Sequence, residues 1–347
     1  MEDRNYDPLT KTWKRSDRSY AIPTDHLTPP VVGKTFERVT YGPLIELLEN
    51  YEIIPETQAG FRTSRSTQDQ LFKITQAITT GFQEGEVTLT AMYDTHKSFD
   101  KIWHDGLIMK ISNFLNEPAV AFIQSFLTNR NIRIRINGKF SEKVFSAPKS
   151  IICGVPQPGK KADMLSQFAD DLAIWTTRKN TKEAKRHLQI YNDRISRLCK
   201  VWRVKLSTHE TQITLFHRNR IKTRPTITVE GNQIRAGKSC EFLGLTLDHK
   251  LTMKQQVTKI SKELQNRVAI LAKIAGSYQK PRADTGLSLQ IFKSMIVPFA
   301  TYTPSALVLA KETQLKKIDT ILRKGARIAI HCPQEMTTFT QWLDYLA

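Results

Sequence analysis

The stretch Gln167-Phe-Ala-Asp170-Asp171-Leu-Ala-Ile-Trp175 constrains the fold more than any other. Two short apolar runs flank adjacent carboxylates, the pattern of a β-hairpin with both acids at its tip. Adjacent aspartates repel one another, and such a tip becomes favourable when a third carboxylate and a divalent cation share it. Asp94 is the candidate for that third position: Thr88 to Tyr93 is strand-like, ends at Asp94 and would pair with the hairpin. Mg²⁺ prefers hard oxygen ligands shared with substrate phosphates. Two such ions about 3.5–4 Å apart can stabilise both the attacking and the leaving oxygen of a nucleotidyl transfer. An Asp-Asp turn taken alone is more often only a surface turn.

The surrounding pattern supplies the rest of an α+β architecture. The first thirty residues mix Asp, Lys, Arg and Pro without helical or strand periodicity, which predicts a loosely ordered lead-in. Apolar residues recur at helical spacing from Phe36 to Glu52, and again from Gln68 through Leu71, Ile74 and Ile78. Beyond Asp94, the residues Phe99, Ile102 and Trp103 fall on one face of a predicted helix. Ile132, Ile134 and Ile136 alternate with Arg133 and Arg135 ahead of Asn137-Gly138, a dipeptide that tolerates the positive φ of a two-residue hairpin turn. A second strand-turn-strand is readable around Ile227, Val229, Gly231-Asn232 and Ile234. Val257, Ile260, Leu264, Val268 and Leu271, then Leu315, Ile318 and Ile321, repeat every three or four positions and predict a helical C-terminal region.

Composition narrows the partners. The chain of 347 residues carries 52 Lys and Arg against 33 Asp and Glu, a net charge of +19, which suits a polyanion. Cys153, Cys199, Cys240 and Cys332 lie far apart with no metal-clamping spacing. So few cysteines, and polar residues after Met1 in place of an apolar signal, predict an intracellular protein. No apolar run approaches the roughly 20 residues of a membrane span, so no membrane partner is expected.

Further segments follow in a recognisable order: Val31 to Arg38, Gln58-Ala-Gly-Phe-Arg62 with Ser66-Thr67, Tyr93 to His104, Gly154-Val-Pro-Gln157, Phe168 to Asp171, and Phe242-Leu-Gly-Leu-Thr-Leu-Asp248. In that order they resemble the motifs of reverse transcriptases from non-LTR (LINE-type) retrotransposons, nearest the jockey-like group, from about Val31 to the C-terminus. The resemblance implies a right-hand polymerase fold, with fingers and an antiparallel palm over 31–250 and a helical thumb and C-terminal region over 251–347, after the lead-in 1–30. It implies an RNA-directed DNA polymerase that takes an RNA template, a DNA primer and dNTPs, with Mg²⁺ as cofactor and Mn²⁺ as the alternative. Asp94, Asp170 and Asp171 would be catalytic and hold the metals, with the Thr95 carbonyl as an extra ligand. Phe99 would be the gate against a ribose 2′-hydroxyl, though helical spacing with Trp103 also suits an ordinary core ring. Arg62 would meet the incoming triphosphate and Gln157 the template or nascent pair, while Leu243 and Gly244 would form the primer grip.

Two departures stand out. Pro158-Gly-Lys-Lys161 follows Gln157 and leaves only residues 158–169 before Asp170, too few for a helix of about 11 residues, a connection and a strand of about 5. One palm helix is therefore expected to be missing. Glu210 stands where the resemblance implies a lysine, removing a general acid for departing pyrophosphate. Ser19 to Thr24 resembles a shortened first fingers motif, and no endonuclease segment precedes it, as in a truncated or decayed element copy. The competing expectation is a catalytically inactive nucleic-acid-binding remnant.

Overall fold

The computed structural model describes residues 31–94, 103–128, 163–219, 223–277, 280–302 and 307–332, with short strands at 6–7, 12–15, 18–21, 131–132, 135–136, 139–140 and 144–145. The chain divides into two compact units, Met1–Ile54 and Pro55–Ala347. The first holds an antiparallel three-stranded meander, Tyr6–Asp7, Thr12–Arg15 and Arg18–Ala21, where no periodicity predicts regular structure. It also holds helix α1 (Val31–Asn50), which covers the helical pattern expected from Phe36.

The second unit opens with α2 (Thr67–Gln83). Ser66 and Asp69 close a reciprocal capping box at its start, and Leu71, Ile74 and Ile78 form its buried stripe. The chain then runs through β1 (Val87–Tyr93), α3 (His104–Ile111), α4 (Glu117–Leu127), β2 (Asp163–Phe168), β3 (Asp171–Arg178), α5 (Thr181–Val201) and β4 (Gln212–Phe216). β1, β2, β3 and β4 make one antiparallel sheet in the order β4-β1-β3-β2. Its two faces follow the strand period of two. Leu89, Ala91 and Tyr93 of β1 pack with Ala184, Leu188 and Ile195 of α5. Met92, Ala173 and Trp175 turn to the other face, against Leu71, Ile74 and Ile78 of α2. Two buried threonines of β1 are satisfied across the sheet: Thr88 Oγ1 lies 3.0 Å from Thr177 Oγ1, and Thr90 Oγ1 donates to the Thr214 carbonyl at 3.2 Å.

Two hairpins follow, β5 (Thr226–Val229) with β6 (Asn232–Arg235) and β7 (Ser239–Phe242) with β8 (Leu245–Asp248). α6 (Lys254–Ala275), α7 (Thr285–Ile291), a π-helical turn at Phe292–Ile296, α8 (Val297–Ala300) and α9 (Glu312–Ala329) complete the described chain. Val257, Ile260, Leu264, Val268 and Leu271 are all buried, as their spacing predicts. They are continuous with the α2 face of the sheet in a single apolar core, to which α9 adds Ile318 and Ala329.

Of the helix expected on Phe99, Ile102 and Trp103, Trp103 is the N-terminal flanking residue of α3, and Phe99 and Ile102 lie outside the described residues. The strands beside Asn137-Gly138 pair as expected, Arg135 with Phe140 and Ile136 with Lys139, while the dipeptide itself lies outside the described residues. No helix among the described residues is long and apolar enough to cross a membrane.

Candidate active site

β1 and β3 run antiparallel with Tyr93 opposite Leu172, so Asp94 follows the last paired residue of one strand and Asp171 is the first residue of the other. Asp171 pairs with Phe168, which leaves Ala169 and Asp170 as the two-residue turn of the β2–β3 hairpin. The three sequence-predicted carboxylates thus share one end of the sheet. Burial first, then the charges of Asp170 and Asp94, push the Asp171 carboxyl up to about 6. Asp171 makes no ion pair among the described residues. The side chains are nonetheless not drawn into a ligand set: no three His, Cys, Asp or Glu among the described residues are arranged to hold a metal ion. A group of negative charges that costs free energy by itself fits a small divalent cation with oxygen ligands, the chemistry expected of Mg²⁺.

The turn carrying Asp170 is held from outside the sheet. Ala169 has φ +56°, a left-handed conformation that disfavours a residue with a Cβ. The Gln58 side chain clamps it: Ala169 N–H donates to Gln58 Oε1 at 2.9 Å, and Gln58 Nε2 donates to the Ala169 carbonyl at 3.2 Å. Gly60 N–H donates to the same Oε1 at 2.8 Å. Backbone bonds run alongside, from Ala59 N–H to the Gln167 carbonyl at 2.8 Å and from Gln167 N–H to the Thr57 carbonyl at 3.0 Å. The loop therefore adds a short parallel bridge to the outer edge of β2. Below it, Ser166 Oγ bonds Gln70 Oε1 at 2.6 Å, tying the same strand to α2. Sequence reasoning missed Gln58. The signal was the Gln58-Ala-Gly-Phe-Arg62 segment, but its partner is 111 residues away and no local pattern names it. Gln58→Ala is expected to cost about 1–3 kcal/mol through the unpaired Ala169 amide, read as a lower denaturation midpoint; an unchanged midpoint would show that the clamp contributes nothing.

Asp94 is fixed by its backbone, since its carbonyl accepts the Ser207 N–H at 2.8 Å. The Ser207 carbonyl in turn accepts the N–H groups of Glu210 at 3.2 Å and Thr211 at 2.9 Å. This compact turn brings the backbone of Glu210 near Asp94, with the Glu210 side chain exposed.

Arg62 does not extend freely from its loop: its Nη1 donates to the carbonyls of Pro55 at 2.9 Å and Gln58 at 3.3 Å. The guanidinium braces the loop that holds Ala169. Leu243 and Gly244 form the tight turn between β7 and β8, with φ +47° and +76°, the positive pair a two-residue hairpin demands. Tyr302 donates its hydroxyl to the Leu243 carbonyl at 3.3 Å. Thr95, Phe99 and Gln157 lie outside the described residues, as does the segment 158–162 where a helix is expected to be missing.

Residues 26–247 match the reverse transcriptase (RNA-dependent DNA polymerase) family, and the chain belongs to that family. It is 26% identical over 333 residues to the RNA-directed DNA polymerase from mobile element jockey of Drosophila melanogaster, covering 89% of this chain and 36% of that protein. It is 27% identical over 325 residues to the probable RNA-directed DNA polymerase from transposon X-element of the same organism, covering 87% and 35%. The chain thus spans about a third of the length of these curated relatives. Among solved structures, the apo telomerase from Candida tropicalis is similar over 90% of this chain and 60% of that one, with 11% identity and a TM-score of 0.40.

Proposed function

We propose that this chain is the polymerase portion of a non-LTR retrotransposon protein, extending a DNA primer on an RNA template with dNTPs. The observation that carries the reading is the convergence of Asp94, Asp170 and Asp171 at one end of the sheet, with the Asp171 carboxyl raised first by burial and then by the charges of Asp170 and Asp94. In this reading the sheet and α5 are the palm, within fingers and palm over 31–250, and the helices of 251–347 are the thumb and C-terminal region.

Asp94, Asp170 and Asp171 would hold Mg²⁺, with the Thr95 carbonyl as an additional ligand. When bound, Mg²⁺ supplies positive charge that eases ionisation of the primer 3′-hydroxyl and offsets charge on the departing pyrophosphate. The chain's own residues do the positioning. Strand register holds Asp94 beside Asp171, Ser207 fixes the Asp94 carbonyl, and Gln58 holds the turn that carries Asp170. Arg62 would act on the nucleotide chiefly by bracing that loop, and the Leu243-Gly244 turn would approach the primer backbone. Phe99 would exclude the 2′-hydroxyl and Gln157 would touch the template.

The second reading is a nucleic-acid-binding remnant without catalysis. Glu210 favours it: its backbone lies in the turn bonded to the Asp94 carbonyl, and a carboxylate at this position supplies no proton to a departing pyrophosphate where a lysine would. The two separate in one assay: extension of a primer annealed to RNA, with dNTPs, with and without Mg²⁺. The polymerase reading expects metal-dependent extension; binding of the annealed duplex with no extension at any Mg²⁺ or Mn²⁺ concentration assigns the remnant.

A further inference from the structure

Several charged side chains of the sheet-bearing unit form ion pairs, as in Lys259–Glu241 at 2.7 Å, Arg267–Glu263 at 3.2 Å and Arg323–Asp319 at 2.8 Å. A group at the opposite end of the sheet from the carboxylates forms none among the described residues. There Phe216 of β4 pairs with Thr88 of β1, and the next residue, His217, donates its backbone N–H to the His249 carbonyl at 3.1 Å. His249 N–H donates in turn to the Lys238 carbonyl at 2.9 Å. These two bonds gather segments remote in sequence, and with them His217, Lys238, His249 and Lys250, while the charge of Arg224 also reaches His217.

The imidazole rings of His217 and His249 lie 5.2 Å apart, tilted by 40°. Each Nδ1 sits against a backbone carbonyl, that of Asn219 for His217 and that of Lys238, at 3.2 Å, for His249. A carbonyl only accepts, so both Nδ1 atoms carry the hydrogen and both Nε2 atoms are left without a hydrogen bond among the described residues. Lys238 and Lys250 are exposed, and Arg224 is half-buried. None of the five forms an ion pair among the described residues. Burial lowers the His217 pKa, and the charges it feels, from His249, Lys250 and Arg224, lower it further against the bond to Asn219. A transition metal is the other chemistry two imidazoles suit, but a dication would be repelled by Arg224 and Lys250, whose charges reach His217. An oligoanion would be drawn in, and a phosphate beside the His217 ring would oppose the cations that disfavour its imidazolium form, in which Nε2 is a donor.

We propose that this cluster is a second docking site for the phosphate backbone of a nucleic-acid duplex, separate from the carboxylate end; naming the duplex as ligand rests on the polymerase reading. Thr88 and Asp94 are six residues apart on one strand, so at about 3.3 Å per residue the two ends are about 20 Å apart. A duplex rising about 3.4 Å per base pair would cover that distance in roughly six pairs.

The test is binding alone. The dissociation constant of a labelled RNA–DNA hybrid of about 24 base pairs is measured between about 50 and 200 mM salt. The wild-type chain is compared with the triple variant Arg224→Gln, Lys238→Gln, Lys250→Gln. The proposal expects the slope of log affinity against log salt to become shallower by about 2–3, at an unchanged thermal midpoint. Should the triple variant fold poorly, Lys238→Gln with Lys250→Gln, both exposed, is expected to lose about 2. Wild-type binding with an unchanged slope in the folded variant overturns the docking site and leaves the polymerase reading intact. Absence of salt-sensitive binding by the wild type overturns both.

Discussion

Asp171→Asn is expected to abolish primer extension and at the same time to raise the melting temperature of the metal-free protein. Asparagine keeps the size of the side chain but removes a charge that burial, Asp170 and Asp94 all oppose. The sign follows from linkage. With the carboxyl raised from 3.8 to about 6 in the folded state, its charge penalises folding fully above about 6 and not at all below 3.8. The variant's advantage should therefore be complete at pH 7.5, shrink as pH falls from about 6 to 4, and vanish below that. The displacement sets a ceiling of about 3 kcal/mol, which partial solvent exposure reduces to about 1–2 kcal/mol. That corresponds to a rise of a few degrees, about 2–6 °C. Added Mg²⁺ should stabilise the wild type more than the variant, because it offsets the same repulsion. Extension should fall by about 10³-fold or more, the scale of losing a fixed charge where transition-state charge develops. An active variant, or one that melts lower at pH 7.5, would sink the assignment of Asp171.

Gly60→Ala should be the most damaging single methyl group in the sheet-bearing unit. A Cβ built there would lie 2.2 Å from the Ala169 nitrogen and 2.9 Å from its Cα, so backbone on one side must move by about 1 Å. Ala169 already sits at φ +56° and is held by the Gln58 clamp, leaving it little room to yield. The expected cost is about 2–4 kcal/mol in stability. Displacement of the turn by about 1 Å should also lower extension by roughly 100-fold, since Asp170 is the next residue. Gly42→Ala is the control: nothing lies within 4 Å of its missing Cβ, it sits in α1, and alanine there should be neutral or stabilising by up to about 1 kcal/mol. Equal effects at the two glycines in denaturant titrations would show that the close approach to Ala169 is not what matters.

Much of the fold was legible because it is written at short range. The strand-like run of β1, the apolar run Leu172 to Trp175 of the β2–β3 hairpin and the helical stripes of α2 and α6 each lie within one element, and each appears buried. Resemblance located the carboxylates, since Asp94, Asp170 and Asp171 fall at strand ends that local pattern can mark. Arg62 shows the limit. Its residue type suits a phosphate, and a sequence cannot reveal that Nη1 is occupied by the Pro55 and Gln58 carbonyls. The lead-in is another case: its strands at Thr12–Arg15 and Arg18–Ala21 carry no apolar alternation, so nothing in the order of side chains announces them.

What the sequence by itself determined is the strongly periodic elements, the family resemblance and the residues able to bear charge, because periodicity, turn chemistry and motif order are properties of neighbours along the chain. Only the tertiary structure decided that Gln58 holds the Asp170 turn, that Ser207 holds Asp94, and that two histidines just past the ends of separate strands meet beside cations without ion-pair partners among the described residues. Those contacts join backbone and side-chain atoms across as many as 113 residues, from Asp94 to Ser207, and hydrogen-bond geometry over such separations exists only once the sheet has set its register.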